Sequence, residues 1–174
     1  MENERRDKFI IREIDPNAAE ETDLVAQRMR ATLIEVEGEE AGTALYSMDW
    51  LRERVRWHLD ADQVAACVLL AEGNMGLILG HTIVRREFEQ DGREYGLVST
   101  TYVLPESRRL GVAAALLQAG EEWMLSLGLG SSATWTSSTN LKLIRIYEKH
   151  GYRQTATHVH DTTGTLMVKL ERNL

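Results

Sequence analysis

The chain has 174 residues, enough for one domain with a sizeable core. A hydrophobic content of 43% and a charged content of 27% are those of an ordinary globular protein. The net charge of −7, with Lys and Arg never in runs longer than a pair, speaks against a general nucleic-acid binder, which needs a basic surface. Cys67 is the only cysteine, so no intrachain disulfide is possible, and its apolar neighbours mark it as a buried, inert thiol. The longest apolar run, residues 64–71, is too short to span a membrane. The polar start MENERRDK has no apolar h-region, so no secretory signal is expected and a cytoplasmic protein is.

Taken in order, Phe9 to Ile14 reads as a short strand. Asp15 then resembles an N-cap with Pro16 at the first helical position. That helix should run to about Glu35, with Val25, Met29 and Leu33 on its inner face. Residues 35–44 hold Glu35, Glu37, Glu39 and Glu40 with Gly38 and Gly42, and read as an acidic loop or frayed helix end. Ser47 can cap a second helix in which Met48, Leu51, Val55 and Leu59 recur at three- and four-residue steps. Val64 to Glu72 is a strand, Gly73-Asn74 a turn, and Met75 to Glu87 a longer strand. Asp91-Gly92 is a strong hairpin signal, leading into a strand from Tyr95 to Val103.

Leu104-Pro105-Glu106-Ser107 breaks that strand, because Pro cannot continue a central ladder. A helix follows, with Gly111 in its first turn and Val112, Leu116, Ala119, Trp123 and Leu127 on one face. Its first turn offers unpaired N–H groups and the positive end of the helix dipole, a seat for a pyrophosphate. Gly111 costs about 1 kcal/mol relative to Ala. Close approach of a ligand to the backbone is a reason to keep it. Gly128-Leu129-Gly130 ends the helix, and Ser132 to Thr136 is a short strand. Ser137, Ser138 and Thr139 are N-cap candidates for a helix over Asn140 to Lys149, which Gly151 stops. Two strands, Arg153 to His160 and Thr165 to Leu170, close the chain. The order β-α-α-β-β-β-α-β-α-β-β is α/β with a mixed sheet, since the meander is antiparallel and the helix after Gly111 is a crossover.

Two stretches carry a specific resemblance. Arg108-x-x-Gly111-x-Ala113 matches the Q/R-x-x-G-x-G/A acetyl-CoA signature of the GNAT superfamily of N-acyltransferases. Asn140, followed by Tyr147-Glu148-Lys149-His150-Gly151-Tyr152, is similar to the family's N-x(6)-Y-E-K-x-G-[FY]. Together they cover residues 97–152. The resemblance implies one GNAT-like domain over residues 1–174. Helices would flank a mixed central β-sheet in which two splayed strands form the acetyl-CoA cleft.

It also implies roles. Backbone groups of Thr101, Tyr102 and Val103 would pair with the pantetheine arm of acetyl-CoA, the cosubstrate. The Val103 N–H would face the thioester carbonyl, where an oxyanion develops, and such a donor contributes a few kcal/mol. The N–H groups of Arg109, Leu110, Gly111, Val112, Ala113 and Ala114 would hold the pyrophosphate. Arg108 would add charge there, or else be a solvated surface group. Tyr147 would be the general acid that protonates the departing CoA thiolate; its alternative is a core aromatic one turn after Leu143. Asn140 would hydrogen-bond the cofactor arm or cap its helix.

Some family members carry a Glu on the strand before the signature. The matching position here is Leu97, and residues 97–103 contain no carboxylate. Glu94, His81 and Tyr102 remain as candidate bases, with His81 favoured as a packed or surface histidine. His150, His158 and His160 lack metal-ligand spacing, and no metal is expected. The implied reaction is direct attack of a primary amine, from a small molecule or a peptide, on the thioester. The acidic segment would draw a cationic amine, unless it is only a solvated loop. The alternatives are a non-catalytic acetyl-CoA-binding regulatory module, transfer of another acyl group, or an alcohol acceptor. A homodimer through the C-terminal strands is implied by the resemblance alone.

Overall fold

Seven strands form one sheet in the computed structural model, which describes residues 9–174. The polar stretch 1–8, read above as free of a secretory signal, lies outside the described residues. The elements are β1 (Ile10–Glu13), α1 (Ala19–Glu37), α2 (Glu39–Leu45), α3 (Met48–Leu59), β2 (Ala66–Glu72), β3 (Ile78–Phe88) and β4 (Glu94–Val103). They continue as α4 (Val112–Ser126), β5 (Ser131–Ser137), α5 (Leu141–Lys149), β6 (Arg153–Val159) and β7 (Leu166–Asn173). The strand order is β1-β2-β3-β4-β5-β7-β6. Only β4 and β5 run parallel, as the α4 crossover requires. On one face α1 and α3 pack Val25, Ala26, Leu51 and Val55 against Val68, Leu70 and Ile83. On the other, α4 packs Val112, Leu116 and Met124 against Leu69, Val84 and Val98.

Four local readings are corrected. Asp15 does not cap α1. Its Oδ1 accepts the Asn17 N–H at 2.9 Å and its carbonyl the Ala18 N–H at 3.1 Å, forming a turn that delays the helix to Ala19. Residues 35–44 are neither loop nor frayed end. Gly38, at φ +87°, separates α1 from the short α2. Gly42 then lets the two helices touch, because a Cβ there would lie 2.6 Å from the Ile34 backbone nitrogen. The long strand does not start at Met75, which sits at φ 56° in a single 3-10 turn, Asn74–Gly76. Finally, Gly111 lies just outside α4 as its N-cap. Two turn signals hold: the Ser47 Oγ accepts the Trp50 N–H at 3.0 Å, and Asp91 Oδ1 accepts the Arg93 N–H at 2.9 Å in the hairpin.

His58 links α3 to the sheet and is 2% exposed. Its Nε2 lies 3.0 Å from Arg85 Nη1, which can only donate, so the ring proton sits on Nδ1 and goes to the Arg54 carbonyl at 2.8 Å. Burial, opposed by that carbonyl and reinforced by the Arg85 and Arg54 charges, pushes its pKa down to about 4. The unfolded ring takes a proton near pH 6.5, which the folded one refuses until about 4. Stability should therefore fall as pH drops from 6.5 to 4, by about 3 kcal/mol from this residue. Urea midpoints measured across that window check the expectation; a flat profile would contradict it.

Candidate active site

The site begins where β4 and β5 part. They pair at Gly96↔Ser132, Leu97↔Ala133 and Val98↔Thr134, and at no later position. Ser99 is a bulge: Val98 opposes Val84 on β3, while Thr100 opposes Ile83. A bulge bends its strand and increases the local twist. Beyond it β4 runs on to Val103 and β5 to Ser137 as the two sides of a V. The β4 edge that faces β5 there has no strand partner among the described residues, so an extended ligand can pair with it. Thr101 and Val103 face the α4 side, where Thr101 Oγ1 meets Thr82 Oγ1 at 2.8 Å. Tyr102 faces α1, over which the Arg28 guanidinium lies 5.6 Å from its ring centre.

From α5 the Tyr147 ring enters the V. It is 3% exposed and meets Tyr152 edge-on, with ring centres 4.8 Å apart. Its hydroxyl is flanked by the Thr134 hydroxyl from β5 and the Thr101 hydroxyl from β4. Burial pushes the phenol up to about 12, against the pull of Thr134 and Thr101. It is thus neutral at pH 7 and carries a proton to give. Tyr152 is held in turn, its hydroxyl donating to Ser132 Oγ at 2.7 Å.

The loop before α4 is unusual backbone. Arg109 has φ 68° and Gly111 φ 84°, both left-handed. That conformation favours glycine, and a Cβ on Gly111 would meet nothing within 4 Å. The first α4 bond runs from the Ala115 N–H to the Gly111 carbonyl at 3.0 Å. The N–H groups of Val112, Ala113 and Ala114 therefore have no intrahelical carbonyl. No side chain caps this end and no acid lies in its first turn, whereas α1, α2 and α3 each carry acids there. The positive end of its dipole is uncompensated. Leu110 and Arg109 are exposed beside it.

Arg108 is turned elsewhere. Its Nε donates to the Val103 carbonyl at 2.9 Å and its Nη2 to Glu35 at 2.8 Å, tying the end of β4 to α1. Glu37 accepts from the Thr165 hydroxyl at 3.0 Å, so half of the acidic run is engaged in contacts that link α1 to its surroundings. Asn140 caps α5, with Oδ1 accepting the Leu143 N–H at 3.4 Å, while its Nδ2 donates to Thr136 at 3.3 Å.

Two of the three candidate bases fall away. Glu94 opens β4 at the far end, seven residues before Thr101, or roughly 23 Å along the strand, and pairs with Arg86. His81 is 0% exposed, and burial, then the Arg28 charge, pushes it down to about 3, so it takes no proton at neutral pH. Tyr102 remains at the site. The Cys67 thiol is buried, donates to Glu13 at 3.3 Å, and is pushed up to about 12 by burial and that carboxylate. Among the described residues, no group of three or more His, Cys, Asp or Glu is placed to hold a metal, and no helix is long and apolar enough to cross a membrane. Sequence reading missed Thr101 and Thr134 as flanks of Tyr147, and Arg28 beside Tyr102. For Arg28 one signal existed: it lies three residues from Val25, on the inner stripe of α1.

Solved structures share this architecture at low identity. An acetyltransferase of the GNAT family from Streptococcus pneumoniae aligns with TM-score 0.70 and 19% identity over 96% of this chain and 100% of its own. The Salmonella typhimurium protein yncA, solved with its cofactor acetyl-CoA, gives 0.71 and 18% over 95% and 94%. Chaetomium thermophilum Naa20, in complex with a bisubstrate analogue, gives 0.70 and 15% over 95% and 86%. No curated protein matches the sequence. The family described as Acetyltransferase (GNAT) matches residues 32–152, which include the V, the α4 loop and Tyr147. The chain therefore belongs to the GNAT acetyltransferase family.

Proposed function

We propose that the protein is an N-acetyltransferase that moves the acetyl group of acetyl-CoA to a primary amine. The observation that carries this reading is the buried, neutral Tyr147 hydroxyl inside the V between β4 and β5. The residues present fit the cosubstrate. The free edge of β4 suits an extended pantetheine chain, through Thr101, Tyr102 and Val103. The uncapped, acid-free start of α4 suits a pyrophosphate, through the N–H groups of Arg109, Leu110, Gly111, Val112, Ala113 and Ala114. Acetyl-CoA supplies the activated acyl group. The Val103 N–H stabilises the oxyanion formed when the amine attacks, and Tyr147 gives its proton to the thiolate that leaves. Arg108, bonded to the Val103 carbonyl, fixes the main chain that presents this donor. Asn140 holds the start of α5 and thereby the placement of Tyr147.

β4 carries no carboxylate past Glu94, which favours a free-base amine as the attacking species. The same absence supports a second reading, a non-catalytic acetyl-CoA-binding module. Release of free thiol from acetyl-CoA across a panel of amines, aminoglycosides, polyamines, amino acids and peptides separates the two. Amine-dependent release is the expected result. Tight acetyl-CoA binding with no release on any acceptor would establish the module instead, and release on alcohols alone would move the acceptor class.

A further inference from the structure

Arg28 is a cation with no counter-ion among the described residues. It projects from α1 toward the ends of β3 and β4 and is 9% exposed. Its Nη2 donates to the Ile78 carbonyl at 2.6 Å, while its Nη1 is buried and unpartnered among the described residues. No carboxylate among them forms an ion pair with it; Glu106 acts only at longer range. A buried charge in this state is costly, and the usual remedy is an opposite charge with matching hydrogen bonds.

A second orphan lies beside it. His81, wholly buried on β3, has neither ring nitrogen partnered among the described residues. The two side chains meet around one residue: the Arg28 guanidinium lies over the Tyr102 ring, and the His81 ring stacks against it at 6.2 Å. A guanidinium and a neutral imidazole both have N–H groups to donate. Their shared complement is an oxyanion; Arg108 also lies over the Tyr102 ring, at 5.9 Å, but is paired with Glu35, so the one guanidinium left over suits the single charge of a carboxylate. A phosphate would bring two charges close to Glu106 and Glu35.

We propose that Arg28 binds a carboxylate of the acceptor, so that the amine acetylated is that of a free amino acid or a similar small zwitterion. The inference rests on the acetyl-transfer reading for the position of the amine. Tyr102, over whose ring Arg28 lies, immediately precedes Val103, so Arg28 stands on the α1 side of the strand end where the V opens. The half-buried Tyr102 ring covers the guanidinium, so a carboxylate reaches Arg28 only where that ring turns aside. Glu37 at the end of α1 and Glu39 and Glu40 at the start of α2, none of which forms an ion pair among the described residues, attract the ammonium of the same molecule. A polyamine meets repulsion at Arg28, and a peptide N-terminus brings no carboxylate beside its amine.

The test compares each of the twenty amino acids with its primary amide, by calorimetry on the CoA-saturated protein and by thiol release. At least one free acid should bind, and its amide should bind at least about thirtyfold more weakly, as removal of one partner of a buried charge pair does. Arg28→Gln should bring the acid down to the level of its amide and leave the amide unchanged; Arg28→Lys should restore part of the difference. The wild-type comparison of acid with amide needs no variant to fold. Equal binding of acid and amide, equal loss of both in Arg28→Gln, or no binding of either would overturn the proposal. Selective binding of acids through Arg28 without thiol release would leave it standing and remove the transferase reading. Thiol release on amines that lack a carboxylate, with the acids ignored, would do the reverse.

Discussion

Tyr147→Phe should lower the single-turnover rate of acetyl transfer by about a hundred- to ten-thousand-fold, the usual contribution of a positioned acid. The substitution removes one hydroxyl and keeps the ring that packs edge-on against Tyr152. The two hydroxyls left behind are not stranded, since Thr134 already donates to the Val98 carbonyl at 2.9 Å and Thr101 meets Thr82. Stability should therefore drop by no more than about 1 kcal/mol, and acetyl-CoA affinity should hold. Single-turnover rates are the right measurement, because slow product release can hide a chemical step in kcat. The pH profile is a poorer one: with the phenol pushed up to about 12, its ionisation falls at the edge of the range in which the protein can be assayed. A wild-type single-turnover rate in the variant would reduce Tyr147 to a core aromatic and leave the non-catalytic module as the better reading.

Gly111→Glu should abolish measurable acetyl-CoA binding, a loss of at least about a hundredfold. Two effects contribute, and a companion variant separates them. Gly111→Ala adds only the strain of a side chain at φ 84°, about 1 kcal/mol, since its Cβ meets no neighbour within 4 Å. Gly111→Glu adds the same strain plus a negative charge at the start of α4, where the pyrophosphate would sit. The carboxylate also compensates the helix dipole, which helps the fold survive. Calorimetry with acetyl-CoA should thus find Ala modestly weaker and Glu without binding. Unchanged affinity in a folded Gly111→Glu protein would remove the α4 loop from the cofactor site.

The part of the fold that could be read from sequence is the part in which local signals agree. From Leu97 to Tyr152 a β-branched run, a proline, a glycine and a helical stripe each point to the same element. The failures are of another kind. Gly38 and Gly42 suggested a loop, but Gly42 is small because α2 lies on Ile34, a contact that no local pattern announces. Asp15 and Pro16 carried a valid helix-start signal that an Asp15–Asn17 turn used up one turn early. The bulge at Ser99 is a register event between β3 and β4, and no residue type at that position demands it. The site divides the same way. Tyr147 lay in a motif, whereas Thr101 and Thr134, which flank its hydroxyl, come from two other strands. Glu94 counted as a candidate base on chemistry alone, until strand rise put it at the opposite end of β4. Arg28 depends on the Ile78 carbonyl, fifty residues on.

The V has a mechanical side as well. β3 and β4 hold each other through nine residue pairs, β5 and β7 through seven, and β4 and β5 through three. The sheet is thus two stiff plates with a crack between them, arrested at Val98 and Thr134. At its tip the Thr134 hydroxyl is stitched to the Val98 carbonyl. A crack spreads from its tip, so the force that pries the plates apart is concentrated on that one bond and on the α4 tether. A ligand laid along β4 and bonded to the α4 loop bridges the lips of the crack and unloads the tip.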